Sequence, residues 1–229
     1  MSHPLDNPVW HALTGPHAHH AIGGGLARHY PRDMAPFSGI AAETPAAYAD
    51  LSTNLPPNTE ARLFSLADEP APDGWTKVDA FPMLQMVAKL SAKPVGDMAH
   101  IVLTAGDIGA MMELVATAKP GPFAAKTPQL GVYLGIREHG RIVAMAGERM
   151  RVPGHVEFSA ICAHPDVRGR GLAAQLMLQL MSLSWDRGEV PFLHVRPENV
   201  AAVSLYQRLG FAVRREMWVL WRKPMAKTT

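Results

Sequence analysis

A glycine- and arginine-rich turn limits the folds open to this chain more than any other sequence feature. The turn is Val167-Arg168-Gly169-Arg170-Gly171-Leu172-Ala173, between a predicted strand at 156–163 and a predicted helix at 171–186. Two glycines and an alanine let the backbone approach a ligand closely. The first turn of a helix presents unpaired N–H groups and the positive end of the helix dipole. With two added arginines, the turn predicts a cradle for a pyrophosphate group.

Two familiar classes of phosphate site do not match this turn. No Gly-Lys-Ser/Thr sequence follows it, which argues against a nucleoside-triphosphatase loop. No acidic residue at a second strand marks a Rossmann dinucleotide site. Glycine-rich turns before helices are common, so the turn alone does not define a function.

A second motif begins at Asn199, beyond the helix that follows the turn. The segment Asn199-Val200-Ala201-Ala202-Val203-Ser204-Leu205-Tyr206-Gln207-Arg208-Leu209-Gly210-Phe211 predicts a helix that ends at glycine. Ala202, Leu205 and Leu209 recur at helical spacing, so they share one helix face. By itself this pattern indicates a core helix.

The chain as a whole has the composition of an ordinary globular protein. Its formal net charge is +2 and no basic run is present, so we expect no nucleic acid partner. No apolar stretch is long enough to span a bilayer, and the N-terminus lacks the pattern of a signal peptide. The single cysteine, Cys162, excludes an intramolecular disulfide. We therefore expect a cytoplasmic protein without a membrane partner.

Residues 1–96 are harder to interpret. The segment 1–30 is expected to be irregular; it contains six of the eleven histidines, among them His17, His19 and His20. No carboxylate or cysteine lies at a ligand-like spacing from them, so we expect no metal site. Segment 44–52 predicts a helix capped by Thr44, segment 62–66 a strand, and segment 83–90 either a strand or a helix. The best boundary lies at 94–98, which divides the chain into an N-terminal subdomain (1–96) and a second domain (97–229).

The two motifs together resemble the GNAT superfamily of acyl-CoA N-acyltransferases. The resemblance covers about residues 97–222, and the glycine N-acyltransferase-like branch is the closest that we can suggest. Members of that branch can carry a second, degenerate half-domain of the same fold, which would account for residues 1–96. The resemblance implies a mixed α/β fold with a central, twisted, mostly antiparallel sheet flanked by helices. Strands 156–163 and 190–196 would be parallel and would separate to open a slot for the pantetheine arm.

The resemblance also implies roles for the matching residues in binding acetyl-CoA. The backbone of the turn would hold the pyrophosphate, through Arg168, Gly169, Arg170, Gly171, Leu172 and Ala173. The backbone of Ile161, Cys162 and Ala163 would pair with the pantetheine arm as an added strand. One of those N–H groups would bind the thioester carbonyl as it gains negative charge. Asn199 would contact the cofactor, and Tyr206 would protonate the leaving thiolate.

Glu157 is the candidate for the base that takes a proton from the acceptor amine. It lies on the strand that leads into the turn, and a matching glutamate serves as base in some members of the superfamily. A partly buried glutamate there would have a raised pKa, closer to its working range. Alternatively, Glu157 is an exposed strand residue or the partner of an arginine.

Three other residues invite a catalytic interpretation, and each has a simpler one. His164 is expected to be a structural loop residue, and His194 a hydrogen-bonded core histidine. Cys162 has no adjacent His/Asp arrangement, so direct transfer is expected rather than a covalent acyl-enzyme. The loop Pro120-Gly121-Pro122-Phe123 either lines the substrate site or merely connects two elements.

The sequence therefore predicts an N-acetyltransferase that uses acetyl-CoA and a primary amine of a small molecule or protein, without a metal. The oligomeric state is left as monomer or homodimer. The alternative from another class is a protein that binds or senses acyl-CoA without catalysis. A further alternative is acylation directed at proteins or at nucleic acid. The sequence does not name the acceptor.

Overall fold

The computed structural model describes residues 3–89 and 100–225. Within these ranges five α-helices alternate with strands. They are α1 (Pro8–Leu13), α2 (Pro45–Asn54), α3 (Ile108–Ala118), α4 (Leu172–Asp186) and α5 (Val200–Arg208). No helix in the described part of the chain is long and apolar enough to cross a bilayer.

The strands form two sheets, of three and eight strands. The bounds are β1 (Ile22–Gly24), β2 (Ala27–His29), β3 (Ser38–Ile40), β4 (Ala61–Ser65), β5 (Trp75–Ala88), β6 (Ile101–Val102), β7 (Tyr133–Glu138), β8 (Arg141–Val152), β9 (His155–Ala163), β10 (Val190–Val195) and β11 (Phe211–Pro224). The small sheet has the order β1-β2-β3, and the large sheet β4-β11-β5-β10-β9-β8-β7-β6.

The large sheet is antiparallel except where β9 meets β10. These two strands pair in parallel from Val190 opposite His155 to Phe192 opposite Glu157, and the pairing then stops. Strand β9 continues to Ala163 without β10 beside it. The predicted mixed α/β fold and the predicted separation of the two central strands are therefore confirmed.

Each face of the large sheet packs against its own set of elements. On one face, Met86 of β5 belongs to a cluster with Leu176 of α4 and Tyr206 of α5. On the other face, Phe81 and Met83 of β5 pack in a cluster with Val9 of α1. Because successive strand residues point to opposite faces, β5 contributes to both layers.

The N-terminal part of the chain is more ordered than its sequence suggests. The expectation of an irregular segment 1–30 is wrong, because that segment contains α1 and strands β1 and β2. The predicted cap is confirmed: the Thr44 hydroxyl accepts the Ala47 N–H at the start of α2. The ambiguous segment 83–90 is a strand up to Ala88. The earlier residues of β5 pair with β11 alone, and its last residues lie between β10 and β11.

The predicted boundary at 94–98 lies outside the described residues, and the division into 1–96 and 97–229 stays a prediction. Strands β4 and β5, which precede that boundary, are members of the same large sheet as the strands that follow it. Any activity of the C-terminal domain therefore depends on a sheet that residues 1–89 help to build.

Candidate active site

One cavity of about 890 Å³ lies where β9 and β10 separate. Ten of the residues predicted to bind the cofactor line its wall: Ile161, Cys162, Ala163, Arg168, Gly169, Gly171, Leu172, Ala173, Asn199 and Tyr206. The turn and the second motif are well separated in sequence, but they line the same cavity. Arg170 and Glu157 are absent from this wall.

The turn before α4 has the geometry of an anion cradle. Gly169 has φ 80° and Gly171 has φ 77°, a region in which only glycine is unstrained. A Cβ atom added at either position would meet no heavy atom within 4 Å, so the space above the backbone is open. Gly171 is the N-cap of α4 and no side chain caps this end. The first N–H groups of α4 are therefore free to bind a pyrophosphate, and the residues present fit that group.

The two arginines of the turn have different roles. Arg170 donates to Glu138 on β7, with Nη1–Oε2 at 3.0 Å and Nη2–Oε1 at 2.7 Å. The hydrogen bond raises the pKa of Arg170 and lowers the pKa of Glu138. Arg168 lines the cavity and forms no ion pair with the described residues. Its charge is therefore available to a ligand, whereas that of Arg170 is used to tie the turn to the β7–β8 hairpin.

A bulge interrupts β9 beside the cavity. The register with β8 pairs Met145 with Cys162, then shifts, and resumes with Gly147 opposite Ser159. At the bulge Ala160 has φ 54°, an unusual backbone conformation for a residue with a Cβ atom. A bulge leaves one residue out of the hydrogen-bond ladder. The backbone of this short stretch is thus exposed to the cavity on the side where β10 has departed.

Tyr206 and Cys162 both remain protonated in the cavity wall. Burial raises the pKa of the Tyr206 hydroxyl to about 12, and Cys162 adds to this shift. Burial also raises the pKa of the Cys162 thiol to about 12. The Tyr206 hydroxyl makes no hydrogen bond to the described residues, so it can donate one to a ligand. A neutral thiol is a weak nucleophile, which agrees with the expectation that Cys162 carries no acyl group.

The side chains of Asn199 and His164 each accept a hydrogen bond from a nearby backbone N–H. Asn199 caps α5, where its Oδ1 accepts the Ala202 N–H at 3.2 Å. His164 Nδ1 accepts the Asp166 N–H at 3.3 Å in the loop after β9, as expected of a structural loop residue. The predicted contact of Asn199 with the cofactor stays a prediction.

Glu157 differs from the expectation of a partly buried residue with a raised pKa. It is fully buried and accepts two hydrogen bonds from Arg149, with Nε–Oε2 at 2.9 Å and Nη2–Oε1 at 2.5 Å. His194 Nδ1 lies 2.7 Å from Oε1. Burial raises the pKa of Glu157, but the charge of Arg149 and the hydrogen bonds from His194 and Arg149 outweigh it and lower the pKa to about 2. The expected raised pKa is wrong; whether Glu157 acts as base stays a prediction.

The ion pair continues as a chain of hydrogen bonds across the sheet. His194 Nε2 lies 3.1 Å from Nε2 of Gln85 on β5, so the amide donates and the imidazole accepts. Gln85 Oε1 in turn accepts from Arg214, which is paired with Asp6. The expectation that His194 is a hydrogen-bonded core histidine is confirmed. Arg149, the main partner of Glu157, was not singled out from the sequence.

The wall of the cavity on the α1 face comes from strands that the sequence did not connect to the site. It includes Arg62 of β4, Phe81 and Asp79 of β5, and Trp221 of β11. Pairing places Arg62 and Asp79 on either side of Trp221. No local pattern marks these residues, because only the order of the strands brings them to the slot. The loop Pro120-Gly121-Pro122 lines the cavity, which supports its interpretation as a substrate-lining segment.

Of the three clustered histidines, His17 is buried, His20 is partly buried and His19 is exposed. His17 is buried and its Nδ1 lies 2.9 Å from the Tyr30 hydroxyl. Burial, helped by the neighbouring His20 and Arg151, lowers the pKa of His17 to about 3. Within residues 3–89 and 100–225, no group of three His, Cys, Asp or Glu side chains is placed to hold a metal ion.

Sequence comparisons place the same region among known acetyltransferases. The model of the FR47-like protein family matches residues 133–219, which contain both motifs. The chain is also 37% identical over 82 residues to the N-alpha-acetyltransferase RimI of Mycobacterium tuberculosis. That match covers 34% of this chain and 51% of RimI, so it spans about half the length of this relative.

Structural comparisons extend the similarity to the whole chain. A GNAT-family structure from Novosphingobium aromaticivorans superposes with a TM-score of 0.90 and 36% identity, over 98% of this chain and 100% of that one. A GCN5-related N-acetyltransferase from Kribbella flavida gives a TM-score of 0.65 over 95% of both chains. Its 17% identity supports a shared fold alone.

Proposed function

The chain belongs to the GNAT family of acetyltransferases, and on that basis we propose that it transfers an acetyl group from acetyl-CoA to a primary amine. One observation carries the proposal. The open cradle at Gly169 and Gly171, the bulged strand β9 and the hydroxyl of Tyr206 all face a single cavity. A donor bound by its pyrophosphate at α4 would thus direct its thioester toward the gap between β9 and β10.

The cradle and the slot would bind different parts of the donor. Backbone N–H groups from Gly169 to Ala173, with Arg168, would hold the pyrophosphate. The free edge of β9 at Ile161–Ala163 would pair with the pantetheine arm, because β10 no longer occupies that edge. Asn199, at the start of α5, would contact the donor from the opposite side of the slot.

The chemistry we propose is direct attack of the neutral amine on the thioester carbonyl. A backbone N–H at the bulge of β9 would stabilise the negative charge that develops on the carbonyl oxygen. Tyr206 would donate its proton to the departing thiolate. Glu157 remains the proposed base, and as an ionised carboxylate held by Arg149 and His194 it would act on the amine through an intervening water.

The acceptor class rests on weaker support than the donor. The similarity to RimI favours an α-amino group, although the match spans only half of that relative. We keep the proposal at a primary amine of a small molecule or protein. Assignment to the glycine N-acyltransferase-like branch, the cytoplasmic location and the oligomeric state all stay predictions.

An amine panel with acetyl-CoA, followed by release of free thiol, tests the proposal. Amine-dependent thiol release supports the enzyme. The alternative function, acyl-CoA binding without catalysis, predicts saturable binding of acetyl-CoA but no thiol release with any amine. Absence of both binding and release would contradict both functions.

A further inference from the structure

Two arginines in the cavity wall have no hydrogen-bond acceptor among the described residues. The Arg62 guanidinium lies 4.0 Å from the centroid of the Trp221 ring, and the Arg196 guanidinium lies 3.6 Å from that of Phe81. Neither side chain donates a hydrogen bond to any residue in 3–89 or 100–225. By contrast, Arg149 in the same wall uses its donors on Glu157. We call Phe81, Trp221, Arg62 and Arg196 the arginine floor.

The arginine floor and the cradle lie on opposite faces of the large sheet. Phe81 points to the face that carries α1, whereas the cradle and Tyr206 belong to the face that carries α4 and α5. A donor held by its pyrophosphate at the cradle would have its phosphates on the helix face, away from the floor. The cations on the floor are therefore available to a group on the acceptor.

The carboxylates near Arg62 accept hydrogen bonds from other groups and not from its guanidinium. Burial and the nearby Arg32 lower the pKa of Arg62, while Glu60 acts in the opposite direction. The Glu60 carboxylate is bonded to the Trp221 indole N–H at 2.5 Å rather than to Arg62. Asp79 beside Trp221 is a carboxylate that lines the floor, and its Oδ1 accepts the N–H of Ala80. A guanidinium above an aromatic ring can still present its N–H fork to a carboxylate, whose geometry it matches.

We propose that the arginine floor recognises an acceptor whose carboxylate lies about 10 Å from the reacting amine, as in the N-terminus of a short acidic peptide. The distance is that from the end of β10 to Phe81, over which the Arg196 guanidinium lies. Phe81 is on the next strand, three residues along from Leu84, the partner of Val195, which gives about 11 Å. Trp221 is two strands across and five residues along, about 19 Å from the same point. An extended peptide advances about 3.3 Å per residue. Acidic side chains at its second and third positions therefore reach Arg196, and one near the fifth position reaches Arg62. This inference rests on the proposed function, of which it names the substrate class.

Two tetrapeptide amides with acetyl-CoA test the inference in the full-length protein. One carries glutamate at its second and third positions, and the other carries glutamine there. Charge-assisted hydrogen bonds of this kind predict about a ten- to hundredfold higher kcat/KM for the glutamate peptide. The preference should lie mainly in KM and should shrink as salt is added.

Substitutions on the floor should change this preference in opposite directions. Arg196→Gln should remove most of it, and Asp79→Asn should increase it, since a repelling carboxylate is lost. Lys77→Gln removes a positive charge from β5, the strand that carries Asp79, at a position outside the cavity wall. It should leave the preference for glutamate unchanged. If Arg196→Gln fails to fold, Arg62→Gln with peptides that carry glutamate or glutamine at the fifth position provides the second test.

The outcomes separate this inference from the proposed function. Thiol release with both peptides but with equal kcat/KM, or with a preference for glutamine, would overturn the inference and leave the enzyme standing. A glutamate preference that survives in both arginine variants would also overturn it. No thiol release with either peptide or with any simple amine would overturn the proposed function and this inference with it.

Discussion

Arg149 binds Glu157 through two parallel hydrogen bonds, Nε–Oε2 at 2.9 Å and Nη2–Oε1 at 2.5 Å, in a buried part of the sheet. This pair makes a carboxylate on the strand beside the slot permanently ionised near neutral pH. It also makes that carboxylate costly to replace, because its removal leaves a buried guanidinium without a partner. The stability of the sheet and the proposed catalytic role therefore involve the same residue, so each needs its own measurement.

The first prediction concerns the stability contributed by the ion pair. Glu157→Gln should lower the free energy of unfolding at pH 7 by about 3 to 5 kcal/mol, the cost of leaving a buried charge unpaired. Replacing both partners, as Arg149→Met with Glu157→Leu, should recover much of the loss because no buried charge remains. Urea unfolding of the three proteins measures this. Equal losses of unfolding free energy in the single and double variants would show that an unpaired buried charge is not the cause.

The same pair predicts a dependence of stability on pH. The folded pKa of Glu157 is about 2, below its usual value of 4.5. A lowered pKa stabilises the folded state above pH 4.5, and this contribution is lost as the pH falls from 4.5 toward 2. The difference in unfolding free energy between wild type and Glu157→Gln should therefore narrow over that interval. If the difference in unfolding free energy stayed constant from pH 4.5 to pH 2, the ion pair with Arg149 would not be what lowers the pKa of Glu157.

The catalytic role of Glu157 has its own signature in the pH profile. Because the carboxylate is ionised at every working pH, kcat/KM should rise with pH until the amine is neutral, with no inflection from Glu157 near neutral pH. Glu157→Gln should lower turnover by roughly 10²-fold near neutral pH, with partial recovery at high pH. A folded variant with wild-type turnover and an unchanged profile would show that the base lies elsewhere.

Tyr206→Phe should lower turnover by about ten- to hundredfold while acetyl-CoA binding changes little, because only the proton donor is lost. Single-turnover measurements avoid masking by slow product release. Tyr133→Phe is the matched control: its hydroxyl is buried without a partner among the described residues and lies outside the cavity wall. An unchanged rate in Tyr206→Phe would mean that water or another group protonates the thiolate.

Removal of residues 1–99 should leave an aggregated protein. Strand β5 lies between β10 and β11, so its loss exposes two strand edges and the apolar side chains that they support. Co-expression of residues 1–99 as a separate chain should restore solubility if the sheet is the cause. A soluble, monomeric fragment with wild-type activity would instead show that residues 1–99 are dispensable.

The sequence predicted the elements around the two motifs well because local signals determine them. The period of the apolar residues and the glycines that end the helices place β9, α4 and α5 close to their observed limits. The short strands β1 to β3 have too few residues to show a period, and they were missed.

The partners of the predicted site residues could not be found in the same way. Arg149 reaches Glu157 only because bulges shift the register of β8 on β9. Arg62 and Trp221 come to the cavity only through the order of the strands, which brings β4 and β11 beside β5. Long-range pairing is not encoded in any single segment, so the cavity wall on the α1 face appeared only in the structure.

Calorimetry of acetyl-CoA binding to two glycine variants tests whether the turn before α4 holds the donor. Gly171→Glu places a carboxylate in the cradle, whereas Gly188→Glu makes the same change just beyond the other end of α4. Gly171 has φ 77° and Gly188 has φ 73°, and a Cβ atom at either would meet nothing within 4 Å, so strain and size are matched. We expect wild type and Gly188→Glu to bind acetyl-CoA, and Gly171→Glu to lose about a hundredfold or more in affinity through repulsion of the pyrophosphate. Equal affinity in Gly171→Glu and wild type, or no binding by wild type at millimolar acetyl-CoA, would contradict this expectation.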